Sequence, residues 1–171
     1  MPLYFVATSS EYRLSRIETW LSRKCDYGVD LLGDCFQLNQ SRIAISSGGL
    51  FGLGPGTSRA RWGSLPNSYS DFISSIIGEE YGFFGLFLLV LAFFILISTT
   101  FLIAIREKNE IKKLISVGFG SWIFFQTVIN LGGAVGIVPI TGIVLPFVSY
   151  GSSAMISIFI ALGIMYSRDY E

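Results

Sequence analysis

The chain has 171 residues, 51% of them hydrophobic and only 14% charged, and its basic and acidic side chains cancel to a net charge of zero. That balance excludes a basic field for nucleic acid, and the apolar runs are longer than a globular core uses, so the composition is that of a membrane protein. Histidine is absent, which removes the commonest general base and metal ligand, leaves acid-base work to carboxylates and argues against zinc.

Residues 1–8 form an apolar stretch too short to span a bilayer and without the basic leader of a signal peptide. It is expected to be the end of a transmembrane helix whose beginning is missing. Residues 9–82 mix both signs of charge and read as a domain on the membrane surface. Within them, Tyr12 to Leu21 carries Leu14, Ile17 and Leu21 at helical spacing with Trp20 suited to a headgroup interface, and Phe36 to Ile45 is a second candidate helix. Cys25 and Cys35 have nine residues between them, which fits neither a zinc knuckle nor a redox pair, so a disulfide and two free thiols both stay open.

The run from Gly48 to Gly56 prevents regular structure and allows close backbone approach to another group. Followed by Arg59 and Arg61, it offers amides and guanidinium groups for a pyrophosphate. It lacks the Gly-Lys-Ser/Thr ending of a nucleotide loop, and tight turns explain most such runs.

Phe83 to Ile105 contains no charge, and at 1.5 Å per residue it covers roughly 35 Å, enough for one transmembrane helix. Arg106, Lys108, Lys112 and Lys113 follow, placing loop 106–113 in the cytoplasm and residues 9–82 outside. Leu114 to about Val138 returns outward, and Ile143 to Tyr166 comes back in, ending at Arg168. Between them Pro139, Gly142 and Pro146 break the helix. Base rates favour an external loop there, and a re-entrant turn facing a cleft is the alternative. The expected fold is therefore all-α and polytopic: three full transmembrane helices over 83–171 beside an external loop domain with short helices.

Few residues are placed to do chemistry. Asp71 lies at the seam between the polar and apolar parts, where Ser68-x-x-Asp71 also matches a capping box with Ser68 as N-cap and Asp71 at N3. A capping carboxylate can still present an oxygen to a cleft. Glu79 and Glu80 precede an apolar helix, where negative charge favours the dipole. Gln126 and Asn130 stand four residues apart on one helix face, followed by Gly132 and Gly133. Hydrogen bonding between helices is the first explanation for that pair, and lining a polar path the second.

Three motifs carry a family resemblance: Gly48-Gly49-Leu50-Phe51-Gly52-x-Gly54-x-Gly56; Leu65-Pro66-x4-Asp71-Phe72-Ile73 with Gly78-Glu79-Glu80; and Asn130-x5-Gly136-x2-Pro139-x-Thr141-Gly142-Ile143-x3-Phe147-Val148-Ser149-Tyr150-Gly151. Over about Tyr12 to Tyr166 the chain resembles the C-terminal part of the SEDS family (shape, elongation, division and sporulation), most closely its cell-division members. The resemblance implies the last part of a ten-helix protein of the bacterial plasma membrane, acting at the division septum. It also implies polymerisation of lipid II into glycan strands beside a class B penicillin-binding protein and other division proteins.

On that resemblance Asp71 matches an essential aspartate and is expected to take the proton from the acceptor hydroxyl. Arg59, Arg61, Glu79, Glu80 and Asn130 are the candidate substrate-binding residues, with the arginines set against the leaving pyrophosphate. Many relatives carry a histidine where this chain has Tyr69, and a second glycine where it has Ser152. A divalent cation beside Glu79, Glu80 and pyrophosphate is left open, without ligand spacing that marks a site. The chain alone is expected to be inactive for want of the preceding helices. A non-catalytic scaffold binding a penicillin-binding protein is one rival reading. A lipid II flippase is the other, and it ranks lower because the three spans carry no charge for a head group.

Overall fold

The structure, a computed structural model, describes residues 17, 18, 20, 21, 25, 35–66 and 68–166. The expected helix end at 1–8 and Arg168 lie outside these residues, as does most of the expected helix over 12–21, of which residues 17, 18, 20 and 21 are helical. The described secondary structure is helical: α1 (Phe36–Ser47), a π turn (Ala60–Ser64), α2 (Ile73–Arg106), α3 (Glu110–Val135) and α4 (Ser152–Tyr166). Helices α2 and α3 are long and apolar enough to cross a membrane.

The charge-free run is the later part of α2, which begins ten residues earlier and breaks at Gly82 (φ 66°, ψ −158°). The glycine-rich run explains the break. Instead of closing the helical pairs onto Glu79 and Glu80, the amides of Phe83 and Phe84 donate to the carbonyls of Gly49 and Leu50 at 2.9 and 3.2 Å. The carbonyls of Glu79 and Glu80 accept from Leu53 and Gly54 instead, at 2.9 and 3.0 Å. The loop is thus inserted into the helix ladder and satisfies every group that the break releases, which matters because an unpaired backbone group away from water costs several kcal/mol. A Cβ on Gly48 or Gly52 would collide with the carbonyl oxygens of Gly78 and Glu80. Close approach was expected of these glycines, and the group they approach is the chain's own helix.

Arg106 and Glu110 put charges of favourable sign at the facing ends of α2 and α3. The turn between the two helices is short, with Asn109 Oδ1 accepting from the amides of Ile111 and Lys112 at 3.0 and 3.4 Å. Gly120 lets α3 approach Thr100 and Phe101 of α2 closely.

At its other end, α3 stops at the left-handed Gly136. Its last carbonyls are taken by α1 and its neighbours: Ser41 Oγ donates to Ala134 O at 2.6 Å, Arg42 Nε to Val135 O at 3.0 Å and Trp20 Nε1 to Gly136 O at 3.2 Å. A guanidinium is electrostatically suited to a helix C-terminus. Cys25 and Cys35 form a disulfide with a Cα–Cα distance of 5.3 Å, just ahead of α1.

The last helix differs from its expected span. It starts at Ser152, and its 15 residues cover roughly 22 Å at helical rise. Residues 143–151 are irregular. Leu145 is 1% exposed and packs with Phe93, Phe119, Ile123 and Ile158 in one core cluster. Irregular backbone is tolerated among apolar helices when protein buries and pairs it, and this candidate re-entrant segment is packed in that way. Phe147 adopts φ 61° within it, a conformation that costs an aromatic residue about 1–3 kcal/mol.

Candidate functional site

Asp71 does not cap a helix. Helix α2 starts at Ile73 with Phe72 in the capping position and no side-chain cap, so the Ser68-x-x-Asp71 pattern falls in the turn ahead of it. The competing explanation of this carboxylate is thereby removed. Asp71 is partly buried, and among the described residues no hydrogen bond or ion pair engages its side-chain oxygens.

The backbone of Asp71 is held firmly. Asn130 Nδ2, from the middle of the buried face of α3, donates both to Asp71 O at 3.0 Å and to Ile143 O at 2.8 Å. One amide group therefore ties the Asp71 turn to the re-entrant segment. A second tie lies beside it, where the amide of Tyr150 donates to Tyr69 O at 3.1 Å. One turn along α3, Gln126 Nε2 donates to Val144 O at 2.9 Å, and Leu145 N donates to Ser149 Oγ at 2.8 Å. The polar pair on α3 thus pairs with irregular backbone rather than with a neighbouring helix. A small pocket results, lined by Asp71, Phe72 and Asn130 on one side and by Ile140, Thr141 and Gly142 on the other.

Glu79 and Glu80 are buried at 2% and 7% exposure, inside α2 rather than before a helix. Their dipole explanation fails because they sit at the internal break. Glu79 Oε2 accepts from Ser58 Oγ at 2.7 Å and from Ala60 N at 3.1 Å, and Ser58 Oγ accepts in turn from Arg61 N at 3.1 Å. Glu79 is therefore the anchor of the turn that presents the exposed Arg59 and Arg61. Glu80 Oε1 lies 3.9 Å from Arg61 Nη1. Among the described residues no cluster of three metal-ligating side chains occurs. Ala60, Leu65 and Phe72 share one core cluster, so the arginine turn and the Asp71 turn are packed on a common base without direct contact between their charges.

In the glycine run the amides of Gly52, Leu53 and Gly54 are committed to backbone carbonyls, two of them at the α2 break. Thr141 and Gly142, which belong to the stretch considered as a turn facing a cleft but were not named as site residues, line the Asp71 pocket. Their signal was the Pro-x-Thr-Gly spacing, which was quoted without a contact to interpret it.

A family profile described as "Cell cycle protein", for FtsW, RodA and SpoVE, matches residues 1–171. The chain is 37% identical over its whole length to the probable peptidoglycan glycosyltransferase FtsW of Wigglesworthia glossinidia brevipalpis, covering 45% of that protein. It is 40% identical over 94% of its length to stage V sporulation protein E of Bacillus subtilis, covering 44% of it. Among solved structures, one titled "Structural coordination of polymerization and crosslinking by a peptidoglycan synthase complex" matches with a TM-score of 0.66 at 27% identity, covering 96% of this chain and 43% of the other. The chain spans less than half the length of these relatives.

Proposed function

This chain belongs to the FtsW/RodA/SpoVE family of cell cycle proteins, a family of polytopic membrane proteins, and we propose that it carries the catalytic carboxylate of a peptidoglycan glycosyltransferase that polymerises lipid II. The observation that carries this reading is Asp71: its backbone is pinned by Asn130, its carboxylate is free of partners among the described residues, and it faces a pocket.

In the reaction, the 4-hydroxyl of the acceptor N-acetylglucosamine attacks the anomeric carbon of the donor. Asp71 takes the hydroxyl proton, the new glycosidic bond forms, and undecaprenyl pyrophosphate leaves with the electron pair of the broken bond. A positioned general base is typically worth about 10² to 10⁴ in rate. Arg59 and Arg61 are exposed cations on an anchored turn, suited to the departing pyrophosphate. Asn130 acts on this reading as a positioning residue, and Glu79 and Glu80 support the arginine turn from beneath rather than touching substrate.

Membrane orientation follows from two supports at opposite ends of α2. The Cys25–Cys35 disulfide suits an oxidising exterior, and the basic turn around Arg106 to Lys113 suits the cytoplasm. Residues 9–82 then face the exterior, where the lipid II head group is presented. The matched structure, of a peptidoglycan synthase complex, supports work within a synthase assembly; a class B penicillin-binding protein as partner and action at the septum are what the family resemblance implies.

The test is lipid II polymerisation in liposomes by the chain alone, by the chain joined to the preceding half of a relative, and by the joined form with Asp71→Ala. Activity in the joined wild type alone is the expected result. Absence of activity in every form, with binding to a penicillin-binding protein retained, would favour a scaffold instead.

A further inference from the structure

We infer that Gly142 keeps Asp71 open, and that the acceptor sugar reaches the carboxylate across the Thr141–Gly142 turn. The inference rests on the reading of Asp71 as the base and adds the direction from which its substrate arrives.

The small pocket beside Asp71 is lined by α3 and by residues 140–143. Phe72, 1% exposed, and Asn130, Gly133 and Ala134 of α3 close its inner walls. Residues 140–143 line the pocket as well, and one of them, Gly142, lies beside the carboxylate. A Cβ on Gly142 would lie 3.6 Å from Asp71 Oδ2, in ordinary van der Waals contact. A side chain at this position would therefore lie against that oxygen, which the glycine leaves uncovered on this side.

Gly142 also adopts φ +70°, a conformation that L residues rarely enter, so the backbone itself selects the residue type that leaves the oxygen uncovered. Both Thr141 and Gly142 are exposed. The Thr141 hydroxyl gives this rim a polar group of the kind a sugar pairs with.

The Asp71 turn and the segment after Gly142 are held together, because Asn130 donates to Asp71 O and Ile143 O from the same nitrogen. The other polar atom of that amide, Asn130 Oδ1, is buried without a partner. Gly142 is on this account a specificity-determining residue for the acceptor, and Thr141 a contact to it.

Labelling of Asp71 by a water-soluble carbodiimide with an amine, read by peptide mass spectrometry on the full-length protein in detergent, tests access directly. Wild type is compared with Gly142→Ala and Gly142→Asn. Asparagine is among the residues that tolerate a left-handed backbone, so the second variant covers the carboxylate without relying on a strained alanine, and an unchanged unfolding temperature verifies its fold. The expected result is a severalfold fall in Asp71 labelling and a matching fall in polymerisation. Thr141→Val should leave labelling unchanged and raise KM for lipid II. Wild-type labelling in a folded Gly142→Asn would overturn the inference, as would reduced labelling with undiminished polymerisation. Normal polymerisation by Asp71→Ala would instead remove Asp71 as the base while leaving the access measurement intact.

Discussion

Asn130→Ala in the full-length protein removes the donor that joins the Asp71 turn to the re-entrant segment. Two hydrogen bonds are lost, to Asp71 O and Ile143 O. Between membrane helices a side-chain hydrogen bond averages about 0.6 kcal/mol, and a typical intramolecular one contributes about 0.5–1.5 kcal/mol, so the pair amounts to roughly 1–3 kcal/mol. Asn130 is 4% exposed, which keeps water from replacing the donor readily and favours the upper half of that range. Gln126→Ala is the matched control: it removes one bond, to Val144 O, and leaves the Asp71 turn untouched. Denaturant unfolding in detergent should show Asn130→Ala losing about twice the stability of Gln126→Ala, on the per-bond contributions above. Lipid II polymerisation should fall only in Asn130→Ala. Equal stability losses with equal activities would refute the bridging role of Asn130.

Replacing Glu79 by alanine leaves the Ser58 hydroxyl and the Ala60 amide without their acceptor. Hydrogen bonds to a charged group contribute about 1.5–3 kcal/mol each, so the turn should detach from α2, and trypsin should cut faster after Arg59 and Arg61 than in wild type. Reducing the Cys25–Cys35 bond, which spans a sequence separation of 10, should lower stability by about 2–3 kcal/mol on chain-entropy grounds. The check is denaturant unfolding with and without reductant, and Cys35→Ser should lose the reductant dependence.

The apolar character of α2 and α3 was legible because charge-free runs of that length have few other uses. Helix α1, expected over Phe36 to Ile45, runs from Phe36 to Ser47. The break at Gly82 was not: the sequence presented two glutamates ahead of a helix, and only the pairing of Leu53 and Gly54 with their carbonyls makes them interior residues of a broken one. The same long-range pairing converts the glycine run from a candidate anion nest into a structural insert. Asp71 was singled out by position, and its capping alternative stood until the helix start was fixed at Ile73. Asn130 was placed between packing and substrate, and its bonds are to backbone 59 and 13 residues away in sequence. Such contacts leave no local periodicity to read. The packing of 143–151 was not legible for a similar reason, since its buried Leu145 resembles any apolar loop residue until its neighbours are known.

The central claim is that Asp71 supplies a base and not merely a contact. Asp71→Asn keeps the size and polarity of the side chain and removes the basic carboxylate. Binding of labelled lipid II and the initial rate of glycan polymerisation should therefore be measured together on the full-length wild type and this variant. The account predicts near-normal binding with a rate reduced about 10²- to 10⁴-fold. A rate within a few-fold of wild type at equal binding would contradict it.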